Sequence, residues 1–268
     1  MSAHPYVIRD SRTMLGRNFR HMIRYPLVSL LVVGIPVILL LLFVYVFGGT
    51  LGAGLGAGLG VASGGRAAYV EYVTPAILLI AIAGAAQGTA ISVAMDMHEG
   101  IIARFRTMGI ARASVLVGHV LGSTTQTMAG LVLVVGVAMV VGFHADADVV
   151  EWIAAVGVLL MITLAITWLS VALGLAPKSV EAASNLPMPL ILLPFLSSGF
   201  VPVDSMPTGI RWFAEYQPFT PFIETLRGLL MGTAIGNSAL LSAVWCALIG
   251  LVGFRWAMKL YERGPARS

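Results

Sequence analysis

The chain has 268 residues, of which 58% are hydrophobic and only 10% charged, with a mean hydropathy of +0.93. Soluble domains carry about 25% charged residues, so an ordinary soluble domain is excluded and lipid must cover much of the surface. The net charge of +4 does not point to nucleic acid, because the basic residues gather at the ends of apolar runs without sustained aromatic interleaving.

Residues 1–26 place Leu15, Phe19, Met22 and Ile23 on one helical face, with Arg17, Arg20 and Arg24 turned toward the other. This predicts a cytoplasmic interfacial helix whose basic face meets anionic headgroups. The run 27–47 is charge-free and longer than a signal-peptide core. It is close to the roughly 20 residues of one crossing, so it is expected as an uncleaved first span, kinked at Pro36. In 48–65 glycine recurs at Gly48, Gly52, Gly56, Gly60 and Gly64. The entropy glycine loses on ordering favours a flexible external loop over close helix packing through a small-residue ladder. Residues 72–94 form the second expected span. Gln87 and Ser92 within it are candidate pathway residues, although hydrogen bonds to a neighbouring helix would equally account for them.

Between two charge-free runs, Asp96, Glu99, Arg104, Arg106 and Arg112 alternate with apolar residues. Ile101, Phe105 and Met108 follow i, i+4, i+7 spacing and would share one face. A short amphipathic helix along the cytoplasmic membrane surface is expected. The next run, 113–143, exceeds one crossing, and its early part holds His119 and a polar cluster that includes Gln126. His119 could contact a proton or a substrate. No carboxylate lies within helical reach, which favours a structural, hydrogen-bonded histidine.

His144, Asp146 and Asp148 make an acidic turn; three ligands on a loop are weak support for a metal, and no metal or cofactor is expected. Residues 152–175 form the fourth span, and 176–184 a cytoplasmic turn. The fifth, 186–201, contains Pro187, Pro189 and Pro194, so a broken helix is expected, with Ser197 and Ser198 close to the break. A pathway-lining helix and a simple kink are both open there. In 202–230, Pro218 and Pro221 divide two short pieces, on which Arg211 with Glu215 and Glu224 with Arg227 could pair. The last span covers 238–254, and Cys246 within it suits packing.

The expected fold is therefore all-α and membrane-integral, with six transmembrane helices in 27–258 and a cytoplasmic tail at 259–268. Thirteen of the sixteen Lys and Arg then lie inside and only Arg66, Arg211 and Arg227 outside, which favours both termini in the cytoplasm. No phosphate-binding G-x-x-x-x-G-K-[ST] occurs. His98-Glu99 begins a zinc-protease motif that Ile102 breaks. Nothing points to an enzyme. All the acids fall in expected loops, interfaces or interfacial helices, so an ion-coupled carrier is disfavoured and the energy for transport must come from outside the chain.

Three stretches carry a family resemblance: DMHEGIIARFRTMGIARASVLVGH from Asp96, EYVTPAILL from Glu71, and FLSSGFVPVDSMPTGIRWFAEYQPFTPFIETLRGLL from Phe195. They resemble the ABC-2-type permeases, membrane subunits of ATP-driven exporters, and among these the daunorubicin-resistance-like drug exporters. The resemblance implies a coupling helix seated in a cleft of a separate ABC ATPase. Asp96, Glu99, Gly100, Ile101, Arg104, Phe105, Arg106, Met108 and Arg112 would carry that contact. It also implies a second permease subunit, short re-entrant helices before the last span, a hydrophobic or amphipathic substrate and a bacterial plasma membrane. The alternatives are a lipid or polysaccharide exporter of the same superfamily and a non-transporting membrane scaffold.

Overall fold

Backbone polar groups in lipid must bond within their own segment, which makes a helix the default for each long apolar run. The computed structural model describes residues 26–59, 65–98, 112–177 and 179–263, with no strand among them. The predicted N-terminal interfacial helix lies outside the described residues. The first run passes without a gap through α1 (Pro26–Leu42), a π-helical turn (Phe43–Phe47) and α2 (Gly48–Leu59). Then follow α3 (Arg66–His98), α4 (Arg112–Val141) and α5 (Val149–Leu175). Short pieces come next: α6 (Val180–Asn185), α7 (Met188–Leu192) and a 3-10 turn (Leu193–Leu196), then α8 (Thr208–Tyr216) and α9 (Phe219–Met231). The chain closes on α10 (Ser238–Arg263), which stays helical beyond residue 259, where the tail is expected to begin.

Helices long and apolar enough to cross a membrane cover Val33–Gly54, Arg66–His98, Leu116–Val141, Val149–Leu175 and Ser238–Tyr261. The protein is thus an all-α, multi-pass membrane protein with five such helices among its described residues. The expected span at 186–201 is not among them. Pro187, Pro189 and Pro194 break it into α7 and a 3-10 turn, because each proline removes a backbone donor. This broken segment still runs along α3. Gln87 Nε2 donates to the Ser184 carbonyl at 2.8 Å, whereas Tyr72 Oη donates to the Ser198 carbonyl at 2.8 Å. Those two anchor points on α3 are about 22 Å apart at 1.5 Å per residue.

α3 is the central post. It packs against α1, α2, α4, α5, α6 and α9, and its apolar stretch is 61% buried, against 17–33% for the other four. Its core face runs unbroken from Val73 to Ala83, as expected of a helix enclosed on all sides.

The flexible-loop expectation for 48–65 is overturned where the chain is described. Gly48–Leu59 is helical and packs on α3. A Cβ on Gly52 would collide with the Gly65 carbonyl, and one on Gly48 would lie 3.1 Å from Arg66 Cγ. The glycine ladder allows close backbone approach, and packing offsets the entropy that argued for a loop.

The acidic turn finds a structural use. Asp148 Oδ1 accepts from the Glu151 backbone N–H at 2.7 Å, and Glu151 Oε2 accepts from the Asp148 N–H at 2.8 Å, a complete capping box at the start of α5. Asp148→Ala should lower stability by about 1 kcal/mol, seen as a small fall in the detergent-solubilised melting temperature; an unchanged value would remove the cap from the account.

Candidate functional site

The segment expected to couple to another subunit is bracketed by α3 and α4. Glu99, Gly100, Ile101, Arg104, Phe105, Arg106 and Met108 lie outside the described residues. Asp96 stands in the last turn of α3, and Arg112 opens α4. His119 Nε2 lies 3.0 Å from Asp96 Oδ2, with the two side chains 13% and 17% exposed. The expectation that His119 lacks a carboxylate holds only along α4; folding supplies one from α3. Beside this pair, Val93, Leu116, Val120, Val171, Ala172, Leu175, Ala257 and Tyr261 form an apolar cluster. It joins α3, α4, α5 and α10 at this end of the bundle.

The remaining candidates are placed apart. Gln87 is tied to α6 through Ser184, Ser92 is exposed, and Gln126 is half-buried on α4. Much of the polar content around Gln126 is satisfied inside α4: Thr125 and Thr127 hydroxyls each donate at 2.8 Å to the carbonyl four residues back. Ser197 and Ser198 are buried at the end of the broken segment. Ser197 Oγ donates to the Pro194 carbonyl and accepts from the Gly199 N–H. Ser198 N–H donates to Thr220 Oγ1 at 3.4 Å. The Ser197 hydroxyl therefore satisfies backbone groups that the break leaves open, and Thr220 does so for the Ser198 N–H.

Arg227 on α9 is the residue that sequence reasoning assigned to the wrong partner. Its Nη2 donates to the Tyr72 carbonyl at 3.1 Å and to the Ser198 carbonyl at 2.9 Å. Its guanidinium lies 3.7 Å from the Tyr72 ring centroid. Glu224, the expected i, i+3 partner, instead accepts from Ser238 Oγ at 2.8 Å. Arg227 Nε, Ser198 Oγ and Tyr69 Oη are buried without a hydrogen-bond partner. The signal in the sequence was an arginine in the otherwise apolar TLRGLLM, where a buried cation must find carbonyls or an aromatic face.

The other expected pair forms. Arg211 Nε donates to Glu215 Oε1 at 2.8 Å, and Arg211 Nη2 lies 2.7 Å from Asp204 Oδ1. The Glu215 hydrogen bond, then the Asp204 charge, hold the guanidinium pKa above its ordinary value. Both partners are exposed, so neither contact adds much stability; the one to Asp204 ties α8 to the turn before it. Beside α8, Leu193, Trp212, Phe213, Tyr216, Gln217, Pro218 and Trp245 line an open apolar groove of ≈ 270 Å³.

Residues 10–231 match the ABC-2 type transporter family. The chain is similar to the daunorubicin resistance ABC transporter permease protein DrrB1 of Streptomyces coeruleorubidus, 27% identical over 268 residues, 98% of this chain and 90% of that protein. It is also similar to the probable doxorubicin resistance ABC transporter permease protein DrrC of Mycobacterium tuberculosis (strain CDC 1551 / Oshkosh). That similarity is 29% identity over 192 residues, 67% of this chain and 68% of the relative.

Proposed function

Because the chain belongs to the ABC-2 type transporter family, we propose that it is the membrane-spanning permease subunit of an ABC exporter. It moves an amphipathic, drug-like compound outward with ATP hydrolysed by a separate subunit. The observation that carries this reading is the family match across 10–231, supported by relatives named for daunorubicin and doxorubicin resistance. Two permease subunits, identical or different, pair in a bacterial inner membrane. Both termini face the cytoplasm, as the distribution of Lys and Arg favours.

In this reading residues 96–112 enter a cleft of the ATPase. Ile101, Phe105 and Met108 supply the apolar face, and Glu99, Arg104 and Arg106 fix its orientation. Gln87, Ser92, Gln126 and Ser198 remain candidates for the substrate pathway, whereas the Ser197 hydroxyl is taken up inside the broken segment.

The test is a mild-detergent pull-down of the tagged chain from its native cells, with an ATPase assay and doxorubicin efflux as readouts. A nucleotide-binding subunit should co-purify. Phe105→Asp should enter the membrane normally yet weaken that association by tenfold or more, since burying an aromatic side chain contributes about 1.5–3 kcal/mol and each 1.4 kcal/mol is about tenfold. A chain that purifies alone, without ATP hydrolysis, would turn the assignment toward a scaffold or an ion-coupled carrier.

A further inference from the structure

We infer that the Asp96–His119 pair is the clamp at the base of the coupling segment, so that both residues position the segment for energy transfer. The inference rests on the exporter reading above, and it moves His119 from the substrate pathway to the ATPase-facing end.

The geometry supports a mechanical role. Asp96 lies within the last turn of α3, and His119 lies two turns into α4. Their contact at 3.0 Å therefore joins the ends of α3 and α4 that flank residues 99–111. It sits where Val93 of α3 packs with Leu116 and Val120 of α4. With the two helices fastened there, a push on the segment between them turns α3 and α4 as one unit. Without the fastening, the same push is absorbed by splaying their ends.

The partners of these helices determine where the motion goes. α3 is the post that α1, α2, α5, α6 and α9 pack against. Through Tyr72 it also holds Arg227 and the broken segment at the far end. A displacement of α3 at the clamp thus reaches both ends of the bundle through direct packing. Limited exposure of both side chains, 13% and 17%, keeps water from competing for the contact as it would at an open surface.

The experiment uses the complete permease–ATPase complex in proteoliposomes and measures ATP hydrolysed per doxorubicin molecule moved. Asp96→Asn and His119→Gln should each raise that ratio at least fivefold with the ATPase subunit still bound. The exchange Asp96→His with His119→Asp should return it to within about twofold of wild type, which a purely structural loss would not do. If either single variant fails to assemble, the pair Asp96→Cys with His119→Cys decides: oxidative cross-linking that keeps wild-type coupling supports the clamp, and cross-linking that abolishes transport overturns it. Single variants that assemble and keep the wild-type ratio overturn the clamp alone. A wild-type complex with no ATP-driven uptake overturns the exporter reading, and the clamp with it.

Discussion

Gly253→Leu should abolish recovery of a monodisperse, folded protein, because α5 and α10 meet backbone to backbone at that position. A Cβ placed on Gly253 would stand 2.5 Å from the Leu169 nitrogen and 2.8 Å from both Leu169 Cα and the Trp168 carbonyl carbon. Backbone atoms in the middle of a helix cannot step aside as a flexible side chain can. Gly253 belongs to a stripe of small residues: Ser242, Cys246, Gly253 and Ala257 are buried in turn along α10, and a Cβ placed on Gly250 would lie 3.6 Å from Ala165 Cα. Helices in lipid associate through such close packing, since lipid tails provide no hydrophobic drive to bring them together. This stripe also accounts for Cys246 as a small packing residue. The edge-to-face contact of Trp168 with Phe254, 4.9 Å between centroids, flanks the same seam and would be pushed apart. Overpacking costs about 1–3 kcal/mol even where side chains can adjust, so Gly253→Ala should already lower the melting temperature. A Gly253→Leu protein that elutes and melts like wild type would show that the seam is looser than these distances imply.

Arg227→Met should produce the second largest effect, at about 3 kcal/mol or more. Hydrogen bonds from a charged donor contribute about 1.5–3 kcal/mol each, and Arg227 makes two, to the Tyr72 and Ser198 carbonyls. Methionine would fill much of the volume and leave those carbonyls short of a donor, although Tyr72 Oη would still reach Ser198. Arg227→Lys should recover part of the loss only, because an ammonium cannot spread its planar face over the Tyr72 ring while bridging two carbonyls. Glu224→Gln should matter far less, since a neutral amide oxygen can still accept from Ser238 Oγ. The Arg227→Met, Tyr72→Leu double-mutant cycle, in which leucine removes the aromatic face under the guanidinium, should show coupling in the range ~0.5–3 kcal/mol expected of side chains in direct contact. Additive losses would mean that Arg227 and Tyr72 act independently and that the cation–ring contact contributes nothing to stability.

Both predictions concern contacts that composition and spacing do not reveal. Sequence periodicity placed an arginine and a glutamate three residues apart on α9 and paired them. In the fold, α3 and the broken segment offer Arg227 two carbonyls and an aromatic face, and Ser238 occupies Glu224. The same limit applied to His119, whose carboxylate comes from α3 and not from its own helix. It applied to the glycines of 48–59 as well. Alone they favour a loop; against α3 they let backbones touch, and the segment is helical.

What the sequence determined by itself is the class of the molecule and the position of its apolar helices, the proline break at 186–201 and the two short helices before the last one. These depend on run length, charge and proline, which act within a few turns of chain and leave lipid as the only solvent. The tertiary structure decided which helix stands at the centre, how the broken segment is held, and which groups satisfy Arg227 and His119. Those outcomes depend on pairs of residues remote in the chain. Several partners of the right chemistry are available to each, and only the packing of the helices selects one.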